Sequence, residues 1–81
     1  MKDELEVSVI KPDAKIYTIQ ASSVSSTNEN GKFDILKSHA NFISLVKDYA
    51  QIVQNGKTTR LEFGTGVLHC KNNQIKLFVG I

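Results

Sequence analysis

The sequence has one cysteine, one proline, no block of like charge and no long apolar run, and each shortage closes off a class of function. A lone Cys70 cannot form an intrachain disulfide, and no CxxC or Cys/His pairing has metal-ligand spacing, so neither a metal nor a cofactor is expected. Ten basic residues are interspersed with eight acidic ones, for a net charge of +2. Without a Lys/Arg block, binding to nucleic acid or to an anionic membrane has no electrostatic support. The apolar runs fall well short of the roughly 20 residues needed to cross a bilayer as a helix, and the opening MKDELEV mixes charge with apolar residues, unlike a signal peptide. A single thiol fits a reducing, cytoplasm-like compartment.

What is present is alternation. With 41% hydrophobic and 22% charged residues over 81 positions, residues 1–81 read as one globular domain with a thin margin of stability. Leu5, Val7 and Val9 alternate with Glu4, Glu6 and Ser8, and Pro12-Asp13 then breaks the run. Ile16 to Ala21 and Ser22 to Thr27 read as further strands, separated by the loop Asn28-Glu29-Asn30-Gly31 from an alternation around Phe33 and Ile35. Phe42 to Val46 and Tyr49 to Val53 read as two short strands. Asn55-Gly56 is the strongest hairpin signal, leading into Thr58 to Phe63. Gly64-Thr65-Gly66 reads as a turn into Val67 to Lys71, and Asn72-Asn73 as another into Ile75, Leu77 and Val79. Helical spacing over Ser38 to Ala50 (Phe42, Leu45, Val46, Tyr49) is the one competing assignment. Short strands with frequent turns predict an all-β sandwich or barrel.

Catalytic chemistry finds little support. His39 has Asp34 and Asp48 as its nearest carboxylates in sequence, and nothing places either against it as an orienting group. His69 and Cys70 are adjacent, so on a strand they point to opposite faces and cannot form a nucleophilic pair or share a metal. The Ser22, Ser23, Ser25 and Ser26 cluster has no histidine tied to it. Gly64-Thr65-Gly66 is too short to cradle phosphate and is followed by no helix. The chain does not read as an enzyme. The unbroken run Phe42 to Val46 places large side chains on both faces of a strand, predicting an incompletely buried apolar patch of Phe42 with Leu45, or of Ile43 with Val46.

Two stretches, GKFDILKSHANFISLV and FGTGVLHCKNNQIKLFVG, resemble the N-terminal β-sandwich of the F-type ATP synthase epsilon subunit, called delta in mitochondria. Gly31, Phe33, Ile35, Leu36, His39, Ala40, Phe42, Ile43 and Leu45 fall in step with that family's first conserved pattern without a gap. Gly66, Val67, Leu68, Asn73, Ile75 and Leu77 agree with its second, and LEVSVIKPDAKIY looks like its first strand and turn. Asp34, Lys37, Ser38 and Asn41 stand where the family has Gly, Pro, Gly and Pro, and Lys32 stands in place of an acid, which leaves Glu29 as the loop's acid.

The resemblance implies a flattened β-sandwich of two antiparallel sheets. It further implies that the family's C-terminal helical hairpin is lacking, since the sequence ends at Ile81. Its implied role is a non-catalytic rotor subunit of a proton-translocating ATP synthase, peripheral to the cytoplasmic face of the inner membrane. That subunit would dock on the gamma subunit and the c-ring, without lipid insertion and without a nucleotide site. By the same resemblance the partner-binding residues are Glu29, Asn30, Gly31, Lys32, His39, Phe42 and Ser44. An interaction module with the same scaffold and another partner is the alternative.

Overall fold

The alternation is realised as seven strands and, among the described residues, no helix; the computed structural model describes residues 5–13, 16–36 and 41–80. The strands are β1 (Leu5–Ile10), β2 (Ile16–Ala21), β3 (Ser23–Asn28), β4 (Gly31–Leu36), β5 (Phe42–Gln54), β6 (Lys57–Lys71) and β7 (Gln74–Val79). They are hydrogen-bonded in the order β2-β1-β7-β6-β5-β3-β4. Every pairing is antiparallel except β1 with β7, which run parallel. This single ribbon of strands folds over to make both layers of a β-sandwich.

The fold-over is built into the two long strands. The pattern that reads as four short strands is two long ones, β5 and β6, with no turn at Gly64-Thr65-Gly66. Lys47 lies opposite Thr65, but Asp48 lies opposite Phe63, so Gly64 is an extra residue on β6. On its other side β5 shifts register against β3 between Ser26 and Thr27. Asp48 has a left-handed φ of 73°. A bulge of this kind bends a strand without ending it, and a glycine inside a strand marks such a site as readily as it marks a turn. The bulge also changes which residues of β6 face in: Leu61 and Phe63 before it, Gly66, Leu68 and Cys70 after it. The helical alternative fails from Phe42 onward, because Phe42–Gln54 is strand; Ser38 to Ala40 lie outside the described residues.

The hairpins form where their residues demand. Asn55 and Gly56 have φ of 52° and 76°, and Asn72 and Asn73 have 51° and 63°. Two consecutive positive φ values give the turn whose twist matches paired strands. Ser22 is a one-residue corner between β2 and β3. Its backbone N–H donates to the Val53 carbonyl at 2.8 Å and its hydroxyl to the same oxygen at 3.1 Å, so the chain passes from one layer to the other without an orphaned donor.

Between the layers lies one apolar core that draws on all seven strands, including Leu5, Val7 and Val9 of β1, Ile35 of β4, Ile52 of β5, and Ile75 and Leu77 of β7. Each such side chain contributes about 1.5–3 kcal/mol by leaving water. Cys70 is packed here as a small hydrophobe, fully buried, while His69 beside it is half-exposed on the opposite face. Among the described residues Ser26 is the buried polar side chain; its hydroxyl donates to the Tyr49 carbonyl at 2.7 Å, tying down the backbone just past the bulge.

Candidate functional site

The register that builds the core also decides what the outer faces present. In one layer, Leu45 of β5 lies opposite Val67 of β6, Val67 opposite Phe78 of β7, Phe78 beside Ile10 of β1, and Ile10 opposite Ile16 of β2. These five residues alternate with the buried set, so all point outward. They form one apolar row across five strands. Leu45 is 73% exposed and Ile16 62%, while Val67, Phe78 and Ile10 between them are half-buried. Ile43, 68% exposed, stands beside the row with His69 opposite it. An aligned apolar stripe on an outer sheet face is the signature of an interaction surface, whereas isolated exposed apolar residues are ordinary.

The expected patch is therefore present with a different membership. Ile43 and Leu45 are outward, Val46 is 2% exposed, and Phe42 packs inward with its ring edge-on to Phe33, centroids 5.8 Å apart. Strict alternation pairs i with i+2, so each expected pair contributed one outward member.

At the Leu45 end of the row lies a groove of about 430 Å³, lined by Asn28, Glu29, Asn30, Ile43 to Lys47 and Thr65. One wall is the tip of the β3–β4 hairpin and the other is the first half of β5. Asn28 holds the two walls together. Its amide donates from Nδ2 to Ser44 Oγ at 3.2 Å, and its Oδ1 accepts from the Asn30 backbone N–H at 2.8 Å, fixing the tip. The Ser44 hydroxyl in turn donates to the Leu45 carbonyl at 3.0 Å. Gly31 has φ of 112°, a conformation that suits glycine at the exit of the turn.

Of the residues that the sequence marked for partner binding, Glu29, Asn30 and Ser44 come together in this groove. Gly31 and Lys32 follow on the exposed start of β4. Phe42 faces the core edge, and His39 lies outside the described residues. Sequence reasoning missed Asn28 as the link between the walls, and missed Val67, Phe78, Ile10 and Ile16 as one row. The signal for the row was present as apolar doublets that break the alternation: Val9-Ile10, Ile16-Tyr17, Leu45-Val46, Val67-Leu68 and Leu77-Phe78.

The chemistry on offer is contact chemistry. Among the described residues no group of His, Cys, Asp and Glu could hold a metal. Burial pushes the Cys70 thiol up from its ordinary value, so it stays protonated and un-nucleophilic near neutral pH.

Comparison with known proteins agrees with this fold. Residues 4–80 match the family described as "ATP synthase, Delta/Epsilon chain, beta-sandwich domain". An ATP synthase epsilon chain of Clostridium kluyveri is 25% identical over 100% of this chain and 63% of its own. One of Maricaulis maris is 30% identical over 74% of this chain and 46% of its own. The chain thus spans less than two thirds of the length of these curated relatives. A chain of the mitochondrial ATP synthase of Euglena gracilis superposes with a TM-score of 0.88 at 10% identity, covering 98% of this chain and 52% of that one. A chain of the Tetrahymena thermophila mitochondrial ATP synthase central stalk and c-ring superposes at 0.78 and 13% identity, covering 99% and 66%. At such identities the two superpositions speak to the fold.

Proposed function

This chain belongs to the ATP synthase delta/epsilon family, and we propose that it acts as a non-catalytic stalk element, docking on the gamma subunit through the apolar row and on the c-ring through the β3–β4 hairpin. The observation that carries the reading is the row itself. Five outward apolar residues from five strands, in register, make one strip that a partner can cover at little conformational cost. The groove continues that strip to the hairpin tip, so one continuous surface runs from Ile16 to Glu29 and Asn30.

The role is mechanical. A stiff body carries torque with little twist, and this body has a single core shared by both layers and backbone pinned by Ser22 and Ser26. The rim contact at the hairpin would be polar and made by backbone groups and short side chains. We place the protein with a membrane-associated complex, at the cytoplasmic face of the membrane, and expect no ATP site on the sandwich.

The test is binding of the purified chain to purified gamma, followed by calorimetry, with wild type and Leu45→Asp. Binding by wild type that Leu45→Asp weakens by about 30-fold supports the reading. If wild type shows no affinity for gamma, or if Leu45→Asp binds as well as wild type, the row is not the gamma surface. Co-purification with proteins other than ATP synthase subunits would favour an interaction module of the same scaffold with another partner.

A further inference from the structure

We propose that β2 is an open strand-addition edge and that its occupant is the β2 of a second copy of this chain. The order of strands leaves β2 and β4 at the two ends of the ribbon, each with no strand beyond it among the described residues. The outer side of an edge strand carries N–H and C=O groups that only another extended backbone can satisfy as a set. Proteins usually guard such edges with charge, proline or bulges. β4, GKFDIL, is guarded, because Lys32 and Asp34 stand on its outer face. β2, IYTIQA, has no charge, no proline and no glycine, and its first three residues are exposed.

The sequence of β2 also suits pairing with itself. Antiparallel pairing about Thr18 sets Thr18 opposite Thr18, Tyr17 opposite Ile19 and Ile16 opposite Gln20 of the other copy. Aromatic opposite β-branched and threonine opposite threonine are favourable cross-strand pairs, and no charge meets its like. Lys11, whose ammonium lies 6.0 Å from the centre of the Tyr17 ring, falls at opposite ends of the paired segment in the two copies. Pairing would enclose two rings within the joined sheet without bringing the two ammonium groups together. Six residues a side bury far less than the ~1,000 Å² of a stable interface, so the pairing is weak and reversible.

The experiment is sedimentation equilibrium of the isolated chain from about 10 µM to 1 mM, with Thr18→Lys and Thr18→Glu variants alone and mixed. Thr18 is exposed and its hydroxyl meets that of Ser8 at 3.2 Å on the outer face, away from the core, so both variants should fold, as circular dichroism would check. We expect wild-type mass to rise toward twice the monomer at the highest concentrations. Each variant alone should remain monomeric, and the mixture should recover the dimer. Wild type that stays monomeric at 1 mM overturns the proposal. So does a dimer that survives Thr18→Lys, and one that Leu45→Asp alone dissolves would assign self-association to the apolar row instead.

Discussion

On one outer face the strands line up Leu45, Val67, Phe78, Ile10 and Ile16; on the other they line up Asp34, Ser25, Gln51 and Arg60. Both rows lie across neighbouring strands above one common core, the apolar row over five strands and the polar row over four. Their side-chain chemistry is opposite. Three members of the polar row have partners on their own face: the Ser25 hydroxyl donates to Asp34, Arg60 lies 4.1 Å above the Tyr49 ring, and Arg60 Nε reaches Glu62 at 3.2 Å. The apolar row leaves its two ends, Leu45 and Ile16, largely in water. A face whose polar groups contact one another gains little from a partner, whereas a face whose apolar row is exposed at Leu45 and Ile16 gains by being covered. The contrast is what makes the apolar face the proposed docking surface.

The largest expected effect tests how the two faces are joined. Gly64 and Gly66 flank the bend, one on each side of Thr65. A Cβ on Gly66 would stand 2.5 Å from the Phe78 carbonyl oxygen, a backbone atom that cannot move without breaking the β6–β7 pairing, whereas a Cβ on Gly64 meets nothing within 4 Å. Gly66→Ala should cost about 1–3 kcal/mol by overpacking, and Gly64→Ala less than about 0.5 kcal/mol. Thermal unfolding separates them, since about 1 kcal/mol moves the midpoint of so small a domain by about 4–8 °C. Equal midpoints for the two variants would mean that close approach at Gly66 does not constrain the apolar layer.

Next comes the assignment of faces itself. Leu45→Asp and Gln51→Asp put the same carboxylate on β5, one on each outer face. If gamma covers the apolar row, Leu45→Asp should weaken its binding by about 30-fold, the loss of about 2 kcal/mol that an anchoring contact carries. Gln51→Asp should leave affinity within about threefold. The opposite ranking would exchange the roles of the two faces. Neither change should lower stability appreciably, because both side chains lie outside the core.

A smaller effect belongs to the polar face. Arg60 is 47% exposed, and the Tyr49 ring and Glu62 are its partners. Arg60→Ala should cost about 0.5–1 kcal/mol, most of it from the ring contact, since an exposed ion pair adds little. Arg60→Lys should recover part of that loss. A Tyr49→Ala and Arg60→Ala double-mutant cycle with no coupling would reduce this face to independent solvated side chains.

Much of this was legible in the sequence, and the failures have a common cause. Leu5, Val7 and Val9, the Asn55-Gly56 turn and the Asn72-Asn73 turn were readable because period and turn chemistry are local. The opposite destinations of His69 and Cys70 followed from the same period. The continuity of β6 was not readable, because Gly64-Thr65-Gly66 satisfies the local rules for a turn and for a bulge equally well; the partner strand decides. The apolar row was illegible for a related reason. Each strand of that layer carries an off-phase apolar residue, yet only register shows that Ile10, Phe78 and Val67 are neighbours. The groove needed the fold-over to bring Asn28 against Ser44, 16 positions apart.

The smallest expected effect is at the hairpin tip, where the apolar strip meets the groove. Glu29 is exposed beside Asn30, and Lys47 is on the groove's other wall. If the tip meets basic groups on a c-ring loop, Glu29→Lys reverses an attraction worth about 0–1 kcal/mol, so affinity should fall severalfold at most. Screening sets the signature: the difference between wild type and variant should be largest at low ionic strength and fade as the Debye length shrinks to about 8 Å at physiological salt. A loss of affinity independent of salt would point to shape instead of charge. Gly31→Val supplies that control, because a β-branched residue at a φ of 112° distorts the turn at any salt concentration. Cross-linking from cysteines placed at positions 29 to 32 identifies the partner directly. Attachment to c-ring loops is the expected result, and attachment to gamma alone would extend the gamma surface around the groove and remove the c-ring contact from this end of the sandwich.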